Sequence, residues 1–173
     1  MDERPIIEKL SRIELFQGIK DDDTRLSKLA GIVSLRQCKT GDYIIREGEA
    51  GSELFILNTG TVEVLKRTLD NDYFTIVTLT DQEEVFFGEL ALLDEELRSA
   101  SVTASTDCEL LVINRADFNR LGEEDPLLGL LVTRAVGRAV SGRLRKTNED
   151  LITLFEALVG EVAESGNLEE PAE

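Results

Sequence analysis

From Val33 to Ile113 the chain is cut into short β-rich runs by clusters of turn-forming residues, and this rhythm constrains the fold more than any other feature. The runs are VSLRQC, YIIRE, ELFILN, TVEVLKR, YFTIVTL, SASVTA and CELLVI; the punctuation is KTGD, GEAGS, NTG and LDND. β-Branched and aromatic side chains suit a pleated, half-buried surface. Gly, Asn and Asp tolerate the dihedral angles that a chain reversal needs. Seven or eight short strands at this spacing predict a sandwich, a jelly roll or a small barrel.

On either side the period changes from two to about 3.6. Ile6, Ile7, Leu10, Ile13, Leu15 and Phe16 recur at helical spacing before a break at Gly18. In DDDTRLSKLAGIV, Asp22 or Asp23 can cap a second helix that Gly31 stops. Two short helices are therefore expected in 1–32, and the β-region in 33–122. RADFNRL, from Arg115, reads as a short helix within that region. Asp125 is a suitable N-cap and Pro126 a suitable first-turn residue for a long helix across 123–164. At ~1.5 Å per residue that helix reaches on the order of 55–60 Å, too far to lie wholly on a small β-domain. The acidic tail SGNLEEPAE, 165–173, is expected to be disordered. The fold class expected is mainly β with flanking helices.

Charge narrows the partners. Nineteen Lys plus Arg face 35 Asp plus Glu, a formal net charge of −16. Nucleic-acid binding is driven largely by basic side chains at phosphates, so DNA is not an expected partner, and an anionic membrane surface is disfavoured too. No run approaches the ~20 apolar residues of a membrane span, and the acidic start MDERPIIEKL lacks a secretory pattern, so the expected location is the cytoplasm. Cys38 and Cys108, far apart in the chain, read as reduced, partly buried thiols. There is no histidine, which removes the commonest metal ligand and general base. Two distant cysteines cannot make a zinc tetrahedron alone. Neither a metal nor a catalytic cofactor is expected, and the function expected is non-catalytic.

The segment FGELALLDEELRSASV, Phe87–Val102, carries the chemistry. Gly88 permits close backbone approach or an unusual φ. ELALL is a good single helical turn whose start exposes N–H groups that attract anions. Glu89, at that same start, would accept hydroxyl donors, while Arg98 offers a permanently charged planar fork to phosphate oxygens. Ser99 adds a hydroxyl donor, and Ala100 keeps the floor low. Asp94, Glu95 and Glu96 are expected to point to solvent. One cation and one carboxylate suit a ligand with a single negative phosphate and a hydroxyl, such as a nucleotide or sugar phosphate. A Gly-Glu start and a buried Arg–Glu pair could equally do no more than hold a loop together.

The segment resembles the phosphate-binding cassette of cyclic nucleotide-binding domains: Phe-Gly-Glu, small Ala91, aliphatic Leu92, five residues, then Arg-Ser-Ala and Val102. IIREGEAGSELFILNTG, Ile44–Gly60, resembles that family's strand–turn–strand signature in Gly48, Glu49, Gly51 and Gly60. The resemblance runs from about Phe16 to about Phe155, with one departure: Val85 stands where the family often has Gly. It implies an eight-stranded β-roll with flanking helices. It further implies that Glu89 accepts the ribose 2′-hydroxyl, that Arg98 pairs with the cyclic phosphate, that the backbone near Gly88, Leu90 and Ala91 lines the phosphate, and that Ser99 stands beside it.

In the long helix, Leu144, Asn148, Leu151, Phe155, Leu158 and Val162 form a heptad stripe, apolar except at Asn148. Leu128, Val132, Val136 and Val140 are expected to continue an apolar face, and Ala135, Gly137, Ala139 and Gly142 to admit a second backbone closely. The expectation is a parallel homodimer helix. RLRKTNED resembles the corresponding helix of the bacterial cAMP receptor protein family, which implies that Thr147 and Asn148 reach an adenine amino group. Asn148 could also set coiled-coil register, and Thr147 could simply face solvent. That family continues into a helix-turn-helix domain, whereas this chain ends about ten residues past the helix. The expected protein is thus a bacterial, homodimeric, cAMP-binding sensor that signals through a protein partner. The alternatives are a cGMP-selective sensor, favoured by the Ser99 hydroxyl, and an interaction scaffold with a vestigial pocket. A metal-dependent enzyme on a similar roll would need the histidines this chain lacks.

Overall fold

The computed structural model describes residues 3–68, 70 and 72–166. Its β-region contains β1 (Val33–Cys38), β2 (Tyr43–Ile45), β3 (Glu53–Thr59), β4 (Thr61–Arg67), β5 (Tyr73–Thr80), β6 (Phe86–Phe87), β7 (Ser101–Ala104) and β8 (Cys108–Asn114). They form two antiparallel four-stranded sheets, ordered β1-β8-β3-β6 and β2-β7-β4-β5. This is the expected β-roll. All seven runs read from the sequence are strands, and β6 is the addition: two residues pairing Phe87 with Phe55 are too few for any periodicity to announce.

The core lies between the sheets. Phe55 and Leu57 of β3, Val62 of β4, and Leu110 and Val112 of β8 meet Val102 and Ala104 of β7 there. The Phe55 and Phe87 rings stack with centroids 5.5 Å apart. Val85, the departure from the family pattern, fills part of this core. Cys38 and Cys108, 70 residues apart in the chain, are opposed partners in the β1–β8 register, and both are free and buried.

The flanking helices are α1 (Arg4–Arg12), α2 (Asp23–Ala30), α3 (Arg115–Glu124) and α4 (Pro126–Gly166). The first apolar run is not one helix: α1 stops at Arg12, and Glu14–Ile19 is a 3-10 segment that buries Leu15, Phe16 and Ile19. Asp22 caps α2, accepting from the Arg25 N–H at 3.0 Å, and Gly31 follows as C-cap. Asp125 caps α4 through the Leu128 N–H at 3.2 Å. The same carboxylate accepts Arg25 Nε at 3.2 Å and Lys28 Nζ at 2.9 Å, so α2 is tied to the α3–α4 corner. The Lys28 hydrogen bond and the cap N–H hold the Asp125 carboxyl down at about 2. At that corner a Cβ on Gly129 would stand 3.0 Å from Gly122 Cα, so glycine lets the two helices touch.

The chain divides into two compact units, one ending at Val136 and one beginning at Gly137, so the boundary falls inside α4. In the first unit the start of α4 corrects the expected dimer face. Leu128, Val132, Ala135 and Val136 are buried in this unit's own core, while Leu127 and Leu130 are exposed. Heptad spacing alone could not tell an intramolecular face from an intermolecular one. In the second unit Leu144, Leu151, Phe155 and Leu158 are all exposed on the helix, as are Ile152, Leu154 and Val159. α4 continues through residues 165 and 166, the first two of the expected tail; 167–173 lie outside the described residues. No helix among the described residues is long and apolar enough to cross a membrane.

Candidate functional site

The cassette starts where β6 ends. Gly88 has φ 73°, a left-handed conformation that a side chain would strain, and it turns the chain into the 3-10 segment Glu89–Leu92. The Ala91 N–H closes this turn on the Gly88 carbonyl at 3.2 Å. Glu89 is 3% exposed, and Ala91 is buried beside it; Leu90 faces outward. Asp94, Glu95 and Glu96 are exposed, as expected of an outward acidic loop. Arg115, at the start of α3, anchors this loop by donating to the Asp94 carbonyl and, at 3.1 Å, to Glu95 Oε1.

Arg98 returns the chain to the turn. Its N–H donates to the Glu49 carbonyl and its carbonyl accepts from the Gly48 N–H, both at 2.9 Å. The two segments singled out in the sequence are therefore joined by a pair of backbone hydrogen bonds. The side chain then reaches across: Nη1 donates to the Gly88 carbonyl at 3.2 Å and Nη2 to the Glu53 carbonyl at 2.9 Å. The guanidinium carbon lies 5.8 Å from the Phe55 ring centroid. Two neutral carbonyls fix its position without cancelling its charge, and a guanidinium has five N–H donors to share.

Space for this side chain is made by glycine. A Cβ on Gly51 would fall 2.2 Å from Arg98 Nε, and one on Gly88 would fall 2.8 Å from Nη1. Burial pushes the Arg98 pKa down, and the charges of Glu53 and Glu89 push back. A half-buried cation that burial disfavours gains when an anion replaces the lost water.

Of the residues named from the sequence, the roll brings together Gly88, Glu89, Ala91 and Arg98. Ser99 is exposed, with Ala100 half-buried next to it. In the second unit, Thr147 and Asn148 are exposed on α4, and Thr147 Oγ1 donates back to the Arg143 carbonyl at 3.0 Å. Sequence reasoning missed the parts that aim the arginine: the Glu53 carbonyl, the missing Cβ of Gly51, and buried Ser101, whose Oγ accepts the Glu47 N–H at 3.0 Å. The GEAGS cluster held a partial signal in its two glycines, but only the structure shows that Gly48 takes a positive φ whereas Gly51 does not and leaves room for Arg98 instead.

The two-sheet roll seats a half-buried guanidinium over a left-handed glycine turn and so presents donors suited to an anion. The comparisons with known proteins make the class specific. The family model for the cyclic nucleotide-binding domain matches residues 35–125, and the chain belongs to that family. Human cGMP-dependent protein kinase 2 is 38% identical over 112 residues, 64% of this chain and 14% of the kinase. The chain spans 14% to 16% of the length of the cGMP-dependent kinases it matches. Among solved structures, the catabolite activator protein of Thermus thermophilus is similar with TM-score 0.71 at 29% identity, over 82% of this chain and 62% of that one. The regulatory domain of Toxoplasma gondii PKA, crystallised with cAMP, has TM-score 0.61 at 26% identity, over 68% and 43%.

Proposed function

We propose that this domain is a cAMP-binding sensor, homodimeric through α4, non-catalytic, and coupled to a protein effector. The observation that carries the reading is the Arg98 guanidinium, half-buried, disfavoured by burial and clasped by two neutral carbonyls, so that its charge remains for a phosphate. Buried Glu89 lies in the same turn as the acceptor for a ribose hydroxyl. Leu90, Ser99 and Ala100 complete the cassette lining. Thr147 and Asn148 would meet the exocyclic amino group of adenine, and the exposed Leu144, Leu151, Phe155 and Leu158 stripe would be covered by the second subunit. The similarity to a PKA regulatory domain crystallised with cAMP supports the ligand. The net charge of −16 speaks against DNA or an anionic membrane as the direct partner and fits a cytoplasmic setting.

The second reading is a cGMP-selective sensor. The exposed Ser99 hydroxyl next to the cassette arginine favours it, as does the 38% identity to a kinase named for cGMP. Side-by-side calorimetric titration with cAMP and cGMP separates the two. Tighter cAMP binding supports the first, and tighter cGMP binding the second. No heat and no thermal shift at millimolar concentrations of either would leave a scaffold with a vestigial pocket.

Signalling in either case is a population shift. The ligand favours one of two arrangements only by its difference in affinity for them.

A further inference from the structure

Residues 93–100 form no regular strand, so the direction in which Arg98 leaves the backbone depends on what holds that backbone. One side is held by the Gly48 and Glu49 hydrogen bonds already described. The other side is held by an ion pair outside the cassette. Lys66 Nζ, on β4, donates to the Ser99 carbonyl at 2.6 Å and to Glu47 Oε1 at 2.6 Å. The other oxygen of Glu47 accepts the Arg67 N–H at 3.1 Å, and the Glu47 N–H donates to Ser101 Oγ at 3.0 Å. Glu47 thus joins three stretches of chain: the β2–β3 turn to which it belongs, the end of β4, and the start of β7. Lys66 carries that junction onto the residue that follows Arg98.

We infer that Glu47 and Lys66 are a positioning pair for the cyclic nucleotide, fixing the Arg98–Ser99 backbone so that the guanidinium meets the phosphate in a set direction. The inference rests on Arg98 being the phosphate ligand. The pair acts through that residue. The Lys66 side chain is 43% exposed and Glu47 18%, so solvent screening lowers the pair's share of folding stability. An effect on binding without a matching effect on stability is therefore the signature of positioning. Lys66 is the better placed of the two to show it, because its ammonium bonds both the carboxylate and the Ser99 carbonyl.

The test is calorimetric titration of cAMP and cGMP into the wild-type chain and Lys66→Met, Lys66→Arg, Glu47→Gln and Arg98→Ala, with melting curves for each. Lys66→Met and Glu47→Gln are expected to weaken binding on the order of tenfold, the loss when only about a tenth of the molecules hold Arg98 in the productive direction, with Tm falling by no more than the few degrees a partly solvated pair is worth. Lys66→Arg restores most of the affinity. Unchanged affinity in Lys66→Met, with Arg98→Ala still inactive, overturns the positioning role and leaves the arginine reading intact. Tighter binding by Glu47→Gln also overturns it, since a lysine freed from its carboxylate would then be touching the phosphate itself. A Tm that falls in step with affinity marks general loosening and overturns it as well. If Arg98→Ala binds as the wild type does, both the positioning role and the site on which it rests fall.

Discussion

Leu57 and Leu158 have opposite environments: the first is 0% exposed in β3, the second 61% exposed in α4. Leu57 belongs to the core between two sheets of the same chain, with Phe55, Val62, Val102 and Leu110. Around Leu158 the apolar neighbours Leu151, Phe155 and Leu154 face outward along a helix. The roll completes its core alone, so its stability belongs to one molecule. The helix beyond Val136 does not, and an isolated helix draws little stability from its own propensity. If a second copy covers its stripe, as proposed, the stability of that part depends on concentration. The proposed binding site lies on the self-sufficient part, and the proposed dimer contact on the part whose apolar side chains are exposed.

Removing material from the self-sufficient side gives the largest effects. Phe55→Ala deletes a fully buried ring that stacks on Phe87, and should cost about 3–5 kcal/mol in denaturant unfolding. A loss under about 1 kcal/mol would mean that the roll is looser than its packing indicates. Arg98→Ala sits in the same unit but separates binding from folding: affinity for the cyclic nucleotide should fall by about 2–5 kcal/mol in calorimetry while the Tm barely moves. A collapse in Tm would make Arg98 a structural clasp.

On the other side, Leu158→Ala should leave the unfolding of a dilute monomer unchanged within about 0.5 kcal/mol and weaken self-association in sedimentation equilibrium. If neither dissociation nor unfolding responds, the stripe is not the dimer face. The smallest effect lies at the α2–α4 corner. Folding holds the Asp125 carboxyl at about 2, below its ordinary 3.8. Its contribution is therefore fully present above about 4 and is lost as the pH falls through about 2. The stability gap between the wild type and Asp125→Asn should be flat above about pH 4 and close toward pH 2. A gap that persists at pH 2 would mean the charge of Asp125 contributes nothing at that corner.

Most of this molecule could be read from its sequence because most of its signals are local. Runs such as TVEVLKR and VSLRQC became strands with the same limits, and Asp125 and Pro126 opened α4 as capping chemistry predicts. Asp22 likewise capped α2. The missed features have a common cause. β6 is two residues long, and its pairing with β3 joins residues 30 and 32 positions apart. The apolar spacing before Gly18 suits a 3-10 segment as well as an α-helix, and it was tertiary packing of Leu15, Phe16 and Ile19 that selected the former. Leu128, Val132 and Val136 repeat at four residues, but which surface they meet is a fact about neighbours.

The sequence by itself determined a series of short strands flanked by helices, a glycine at position 88 and a single arginine, Arg98, within Phe87–Val102, because period, turn chemistry and charge are properties of adjacent residues; the roll itself was implied only by the family resemblance. Only the tertiary structure decided where that arginine points. Its acceptors, Gly88 O and Glu53 O, and the vacant Cβ position of Gly51 lie 10 to 47 residues away along the chain, and such separations become contacts only when the two sheets close.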